Sequence, residues 1–185
     1  MAAHHRATRT ELHELVGGFL RKEKYPNESV LEISGNTPEW KPFFKLWQGT
    51  VYPQTDAHNL PHKDNTFSAV IVNQVLEHVR KPWIVMKEVH RVLKPGGIAI
   101  VSSPFMYQVH LEPEDNWRFT IDGLKILCED FSKVRLEGKT GNPSLIKYLI
   151  DNPKGIKDDV AHMHMNLFRN QTDLWYLKSV LIVEK

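Results

Sequence analysis

DAHNLPHKDNTFSAVIVNQVLEHVRKPWIVMKEVHRVLKPGGIAIVSSPF, residues 56–105, is laid out as one strand–helix–strand unit. Phe67 to Val72 (FSAVIV) is a short apolar run rich in β-branched residues, the composition of a strand buried on both faces. Pro82 follows a charged turn, after which Trp83, Val85, Met86, Val89, Val92 and Leu93 recur at three- and four-residue spacing, a helical stripe. Lys94-Pro95-Gly96-Gly97 stops that helix, because proline cannot continue it and glycine supplies a left-handed turn. Ile98 to Val101 (IAIV) is a second buried strand, which the right-handed crossover rule sets parallel to the first. Ligands in such sheets sit at the carboxyl ends of the strands, here Asn73 to His78 and Ser102 to Met106.

The rest of the chain extends this unit. A length of 185 residues predicts one domain, and 41% apolar with 25% charged residues predicts a folded globular one. Net charge is +2 with both signs interleaved, so there is no basic block to suggest nucleic acid. No apolar stretch approaches the ~20 residues that span a bilayer, and MAAHHRATRTELHELV lacks a signal-peptide core. The lone Cys128 excludes an intrachain disulfide and a cysteine zinc cluster, and it reads as a buried small hydrophobe. A reducing cytoplasmic location is expected.

Residues 1–28 are expected to form a leading helix with Leu12, Leu15, Val16, Phe19 and Leu20 on one face. The core, 29–137, opens with a strand at Ser29–Ile33, followed by a short helix at Trp40–Trp47 after Thr37-Pro38 and a strand at Thr50–Thr55 placed at an edge by Pro53. Trp40, Phe43, Phe44 and Trp47 fall on helical spacing and read as core or interface. Pro104–Arg118 is irregular, a helix runs from Thr120 to about Glu129 with Thr120 as its N-cap, and Val134–Leu136 is a weak strand. Residues 138–172 read as a long loop with a helix at Ser144–Ile150, and 173–185 as a final strand centred on WYLKSVLIV.

The order D-A-x-x-L-P, strand, V-L-E-H-V, helix, L-K-P-G-G resembles the central part of the class I S-adenosyl-L-methionine (SAM)-dependent methyltransferases of the small-molecule, type 11-like group. The likeness runs from Val30 to Thr120. It implies an α/β, Rossmann-like, doubly wound and mostly parallel sheet, with the C-terminal strand antiparallel. The family's glycine-rich first motif falls on Ser29-Val30-Leu31-Glu32-Ile33-Ser34-Gly35. Its glycines let the backbone pass close to the methionine part of SAM, and its acid orients the loop or the ligand's ammonium group. Glu32, Ser34 and Gly35 take those positions, although only Gly35 keeps the glycine. The family has two strands between this motif and D-A-x-x-L-P, the earlier one ending in an acid that holds the ribose. Gly35 to Asp56 has room for one helix and one strand, so the sheet is expected to be one strand short. The nearest carboxylates for the ribose are Glu39 and Asp56. Asp56 and Ala57 resemble the adenine-contacting pair, while Asn73 and His78 occupy the loop that covers the ligand and faces the substrate.

His110-Leu111-Glu112-Pro113-Glu114-Asp115-Asn116-Trp117-Arg118-Phe119-Thr120 resembles the H-x-x-P-x-D-x-W-R-F-T segment of a methyltransferase subgroup linked to sugar or polysaccharide modification. Trp117 and Phe119 can wall a pocket, and Arg118 can anchor an anionic substrate or pair with Asp115 to fix the loop. His78, His110 and Asp115 are the candidate proton-transfer groups. Among ten histidines, His162 and His164 lie two apart without a third ligand at local spacing, so no metal is expected. G-x-S-x-G and G-x-G-x-x-G are absent, which disfavours a serine hydrolase and a nicotinamide oxidoreductase.

The expected function is SAM-dependent methyl transfer to a small hydroxyl- or amino-bearing molecule, a sugar or glycan precursor among the candidates. The alternative is a catalytically inactive binding or scaffold module, a partner of an active relative. The expected partner is a small-molecule substrate, with no nucleic acid and no membrane, and a homodimer stays open.

Overall fold

The structure is a computed structural model; it describes residues 2–23, 29–35, 40–110, 114–141 and 176–185, with side chains from Glu11 onward. Its elements are α1 (Ala2–Glu23), β1 (Ser29–Glu32), β2 (Leu46–Gly49), β3 (Phe67–Asn73), α2 (Pro82–Val92), β4 (Leu93–Pro104), α3 (Ile121–Leu127), β5 (Lys133–Thr140) and β6 (Lys178–Glu184). They form a six-stranded sheet in the order β2-β1-β3-β4-β6-β5. The first four strands of that order pair in parallel, and β6 runs antiparallel to both β4 and β5. This is the expected Rossmann-like sheet with an antiparallel C-terminal strand, and among the described residues one strand rather than two lies between the first motif and Asp56.

Alternation along the central strands explains why both faces are covered. Ala69 and Ile71, Ile98 and Ile100, and Val180 and Ile182 point to a layer that also holds Leu12, Val16, Phe19 and Leu20 of α1. Their neighbours Val70 and Val72, Ala99 and Val101, and Leu181 and Val183 point to the opposite layer, with Val85, Met86 and Val89 of α2 and Leu124 of α3. The period-2 pleat sorts a continuous apolar run into two cores, which is why FSAVIV shows no polar alternation. Cys128 is buried in the second layer, as its helical context predicts.

Four expectations are corrected. Trp40–Trp47 is not a helix: one 3-10 turn at Lys41–Phe43 gives way to extended backbone at Phe44 and then to β2. Pro42 lies in that turn and can donate no bond to prolong it, whereas extension lets Leu46–Gly49 pair with Ser29–Glu32. Trp40 and Phe44 still enter the α1-side core, so the aromatic spacing marked burial correctly and conformation wrongly. The edge strand consequently precedes Thr50–Thr55, which is a turn-rich segment. Trp83 leaves the buried stripe of α2 and is 47% exposed. Finally, β5 extends to Thr140, because pairing with β6 continues from Lys133↔Glu184 to Thr140↔Lys178 through residues assigned to the loop. The expected helix at Ser144–Ile150, and most of the expected loop, lie outside the described residues.

Two local signals hold. Thr120 caps α3, its Oγ1 accepting from the Gly123 amide at 3.1 Å. The Lys94–Gly97 segment ends α2 and enters β4, with Gly96 at φ +73° and its amide bonded to the Lys185 carbonyl at 3.0 Å. Among the described residues no helix is long and apolar enough to cross a membrane.

Candidate active site

The parallel strands deliver their carboxyl ends to one edge, where a cleft of about 510 Å³ opens. That volume lies within the roughly 300–1,000 Å³ usual for a small-molecule pocket. Ser34 from the end of β1, Val51 and Tyr52 after β2, Asp56 to His58, and Gln74 and Val75 after β3 line it. His78 to Arg80 and Glu114 complete the lining.

The first motif is tightly built. Glu32 is 1% exposed and Gly35 closes over it: a Cβ at Gly35 would stand 2.6 Å from Glu32 Oε1. Only glycine allows that approach. Ser34 adopts φ +52°, a left-handed conformation, and its amide donates to Thr50 Oγ1 at 3.1 Å. A serine thus holds a conformation for which glycine is the unstrained choice. Gly49, Thr50 and Val51 follow at the end of β2, so no carboxylate stands there. Glu39 lies outside the described residues.

Asp56 sits on the cleft wall, 59% exposed, and its Oδ1 accepts from the His58 amide at 2.9 Å and meets His58 Nδ1 at 2.7 Å. The bonds from the His58 amide and ring hold its carboxyl below the ordinary range. Ala57 is buried beside it. At the next strand Asn73 is not turned to a ligand: its Oδ1 accepts from Ser102 Oγ at 2.6 Å, tying β3 to β4. Gln74 takes the cleft position instead, at φ +57°, its amide donating to the Ser102 carbonyl at 3.0 Å.

The far end of the cleft is made by two loops clamped together. The Asn116 and Trp117 amides donate to the Glu77 carbonyl at 2.7 and 3.3 Å, and Trp117 Nε1 donates to the Val79 carbonyl at 2.9 Å. Trp117 stacks on Phe119 and meets Trp83 edge-on. Arg80 grips Glu114 with two bonds. Arg118 forms a two-pronged pair with Asp115, one contact at 2.6 Å, and also donates to the Trp117 and Gln108 carbonyls. Asp115 is 1% exposed, and the guanidinium holds its carboxyl at about 2. Asp115 is therefore held as an anchor of the loop, and of the two roles open to Arg118 the structure shows the pairing with Asp115 that fixes the loop.

His78 and His110 are brought together, ring centroids 4.9 Å apart and nearly perpendicular. His78 Nδ1 donates to the Glu114 carbonyl, and His110 receives Asp115 support through its amide at 2.8 Å. Burial lowers the His110 imidazole below its ordinary value. Beside the two rings lies Glu77, 0% exposed, its Oε1 3.8 Å from His78 Nε2, neither carboxylate oxygen accepting a hydrogen bond among the described residues. Burial pushes its carboxyl up to about 7. Sequence reasoning missed Glu77, Gln74, Tyr52 and Glu114; Glu77 alone carried a signal, as an acid inside an otherwise apolar VLEHV segment. His162 and His164 lie outside the described residues.

A doubly wound sheet with a cleft at its carboxyl edge, a tight strand-to-turn at β1 and an acid–alanine pair on the wall is the class I methyltransferase fold. Comparison with known proteins agrees. Residues 29–101 match the family model described as a methyltransferase domain. The chain is 48% identical over 80 residues to the ubiquinone/menaquinone biosynthesis C-methyltransferase of Desulfotalea psychrophila, covering 42% of this chain and 32% of that protein. It is 47% identical over 45 residues to a demethylmenaquinone methyltransferase of Staphylococcus epidermidis, covering 24% and 19%. The chain thus spans about a third or less of the length of these relatives. A SAM-dependent methyltransferase from Archaeoglobus fulgidus superposes with a TM-score of 0.62 at 16% identity, over 94% of both chains. The segment from Ser29 to Val101 is similar to the methyltransferase domain, and the described chain has the SAM-dependent methyltransferase fold.

Proposed function

We propose that the protein binds S-adenosyl-L-methionine in the strand-end cleft and directs its methyl group to a small acceptor held at the His78–His110 end. The observation that carries this reading is the gathering of Ser34, Asp56-Ala57 and Gln74, from three separate segments, around one cavity at the carboxyl edge. The Glu32–Gly35 approach would accommodate the amino-acid part of the ligand, and Asp56 with Ala57 would take its adenine. When bound, the cofactor supplies an electrophilic methyl on a sulfonium. The chain contributes alignment: Gln74, fixed by Ser102, and the 114–118 clamp set the walls between which donor and nucleophile are brought into line.

The acceptor is a small molecule whose hydroxyl or amino group meets His78 and His110, the two imidazoles nearest that end. A sugar hydroxyl fits the polar loop segment. The relatives named for C-methylation in quinone biosynthesis support an alternative acceptor, a hydroxylated ring whose carbon is activated by the same hydroxyl. Tyr52, an exposed aromatic that lines the cleft, favours the ring.

Left-handed Ser34 and the missing carboxylate after β2 favour a second reading, a module that keeps the fold without the cofactor. Calorimetric titration with SAM and with S-adenosylhomocysteine separates the two. Saturable binding of both below millimolar concentration is expected. No heat at millimolar ligand, with a stoichiometric protein partner co-purifying, would establish the non-catalytic module.

A further inference from the structure

We propose that Glu77, His78 and His110 form a binding site for a first-row divalent transition-metal ion at the acceptor end of the cleft. One carboxylate oxygen and one nitrogen from each imidazole lie within 4.8 Å of one another. Three observations beyond proximity point to a cation. Glu77 is fully buried, yet neither oxygen accepts a hydrogen bond among the described residues, and an unpartnered buried carboxylate is costly. His78 donates from Nδ1 to the Glu114 carbonyl, which fixes the tautomer and leaves the Nε2 lone pair facing Glu77 Oε1 at 3.8 Å. A second nitrogen bonded to a backbone carbonyl is the usual support of a metal-ligating imidazole. His110 Nδ1 is buried and makes no hydrogen bond among the described residues, with Asp115 Oδ2 3.4 Å away and Arg118 locking that carboxylate in place.

The donor set selects the ion. Two imidazoles and one carboxylate suit zinc, ferrous iron or nickel, whereas magnesium and calcium require mainly oxygen ligands. Ligand atoms at about 2.0–2.2 Å from zinc lie about 3.4 Å apart in a tetrahedron. The Glu77–His78 spacing of 3.8 Å is already close to that, and all three ligand atoms lie within 4.8 Å of one another. Three protein ligands leave a position for water or an acceptor oxygen, and His78 lines the cleft where that acceptor would sit. Local spacing could not reveal the set, since Glu77 and His78 follow β3 while His110 follows β4. The site rests on the methyltransferase reading only for its role, activation of the acceptor's oxygen; cation binding itself does not depend on SAM.

The test uses the full chain, stripped with a chelator and titrated without SAM. Zinc is followed by calorimetry and cobalt(II) by its visible d–d absorption. His4→Ala/His5→Ala serves as a control for terminal histidines. Wild type and control should bind one ion with a low-symmetry cobalt spectrum. Glu77→Gln and His110→Ala should each lose at least tenfold in affinity, as loss of a ligand or its support does, and should lose that spectrum. Glu77→Gln preserves shape, and His110→Ala provides an independent reading should the first fail to fold. Equal affinity and spectrum in wild type and both variants, or no cation binding at micromolar concentration, would overturn the site. A SAM titration that fails while cobalt binds would leave the site standing and remove the methyltransferase reading.

Discussion

On the proposed reading Asp56 would hold the cofactor's adenine, as it is the one cleft-lining carboxylate among the described residues that is not paired with an arginine. Its partner, His58, leaves it charged well below neutral pH, ready to accept from an exocyclic amine. Asp56→Ala should weaken SAM binding by about 1–2 kcal/mol, less than a fully buried bond would cost, since the side chain is largely exposed. Calorimetry on this variant checks it, beside Lys125→Ala as a substitution after residue 120. If Asp56→Ala binds like wild type while Glu32→Ala does not, the adenine assignment is wrong. At this scale the sequence was readable where a residue's neighbours in the chain define its task, as with Thr120 capping α3. It was unreadable where the task depends on a partner from elsewhere. Asn73, which the resemblance places in the loop that covers the ligand, uses its Oδ1 to accept from Ser102 on the adjacent strand.

The segment after β4 shows the same divide among elements. Pro104 to Arg118 was readable as an irregular wall at the carboxyl edge, and it does clamp the loop after β3. Its charged residues, however, hold the wall together. Arg118→Ala would leave Asp115 buried and unpaired, so a destabilisation of about 2–4 kcal/mol is expected, lowered from the fully buried case because the guanidinium is partly exposed. Asp115→Asn/Arg118→Ala should recover part of that loss, since no unpaired charge remains. Chemical denaturation of the two variants checks this, and equal stability of Arg118→Ala and wild type would refute the clamp. The other misreading, a helix at Trp40–Trp47, has a related cause. Four aromatics at positions i, i+3, i+4 and i+7 satisfy helical periodicity, but Pro42 and the hydrogen bonds available at the edge of β1 favour a strand.

Over the whole molecule, the parallel pairing of β3 with β4, the antiparallel last strand and the apolar face of the leading helix were legible in the chain, whereas the order of the strands came from the structure. What the sequence could not show is how far the cleft departs from the pattern it resembles. Among the described residues one strand lies between β1 and Asp56 with no carboxylate at its end, and the cluster of Glu77, His78 and His110 assembles only when two loops meet. A crystal structure of the full chain grown with saturating S-adenosylhomocysteine tests the cofactor site most directly. The adenine ring should lie against Asp56 and Ala57, and the amino-acid end at Ser34 and Gly35. An empty cleft at saturating ligand, or the nucleoside bound elsewhere, would contradict it.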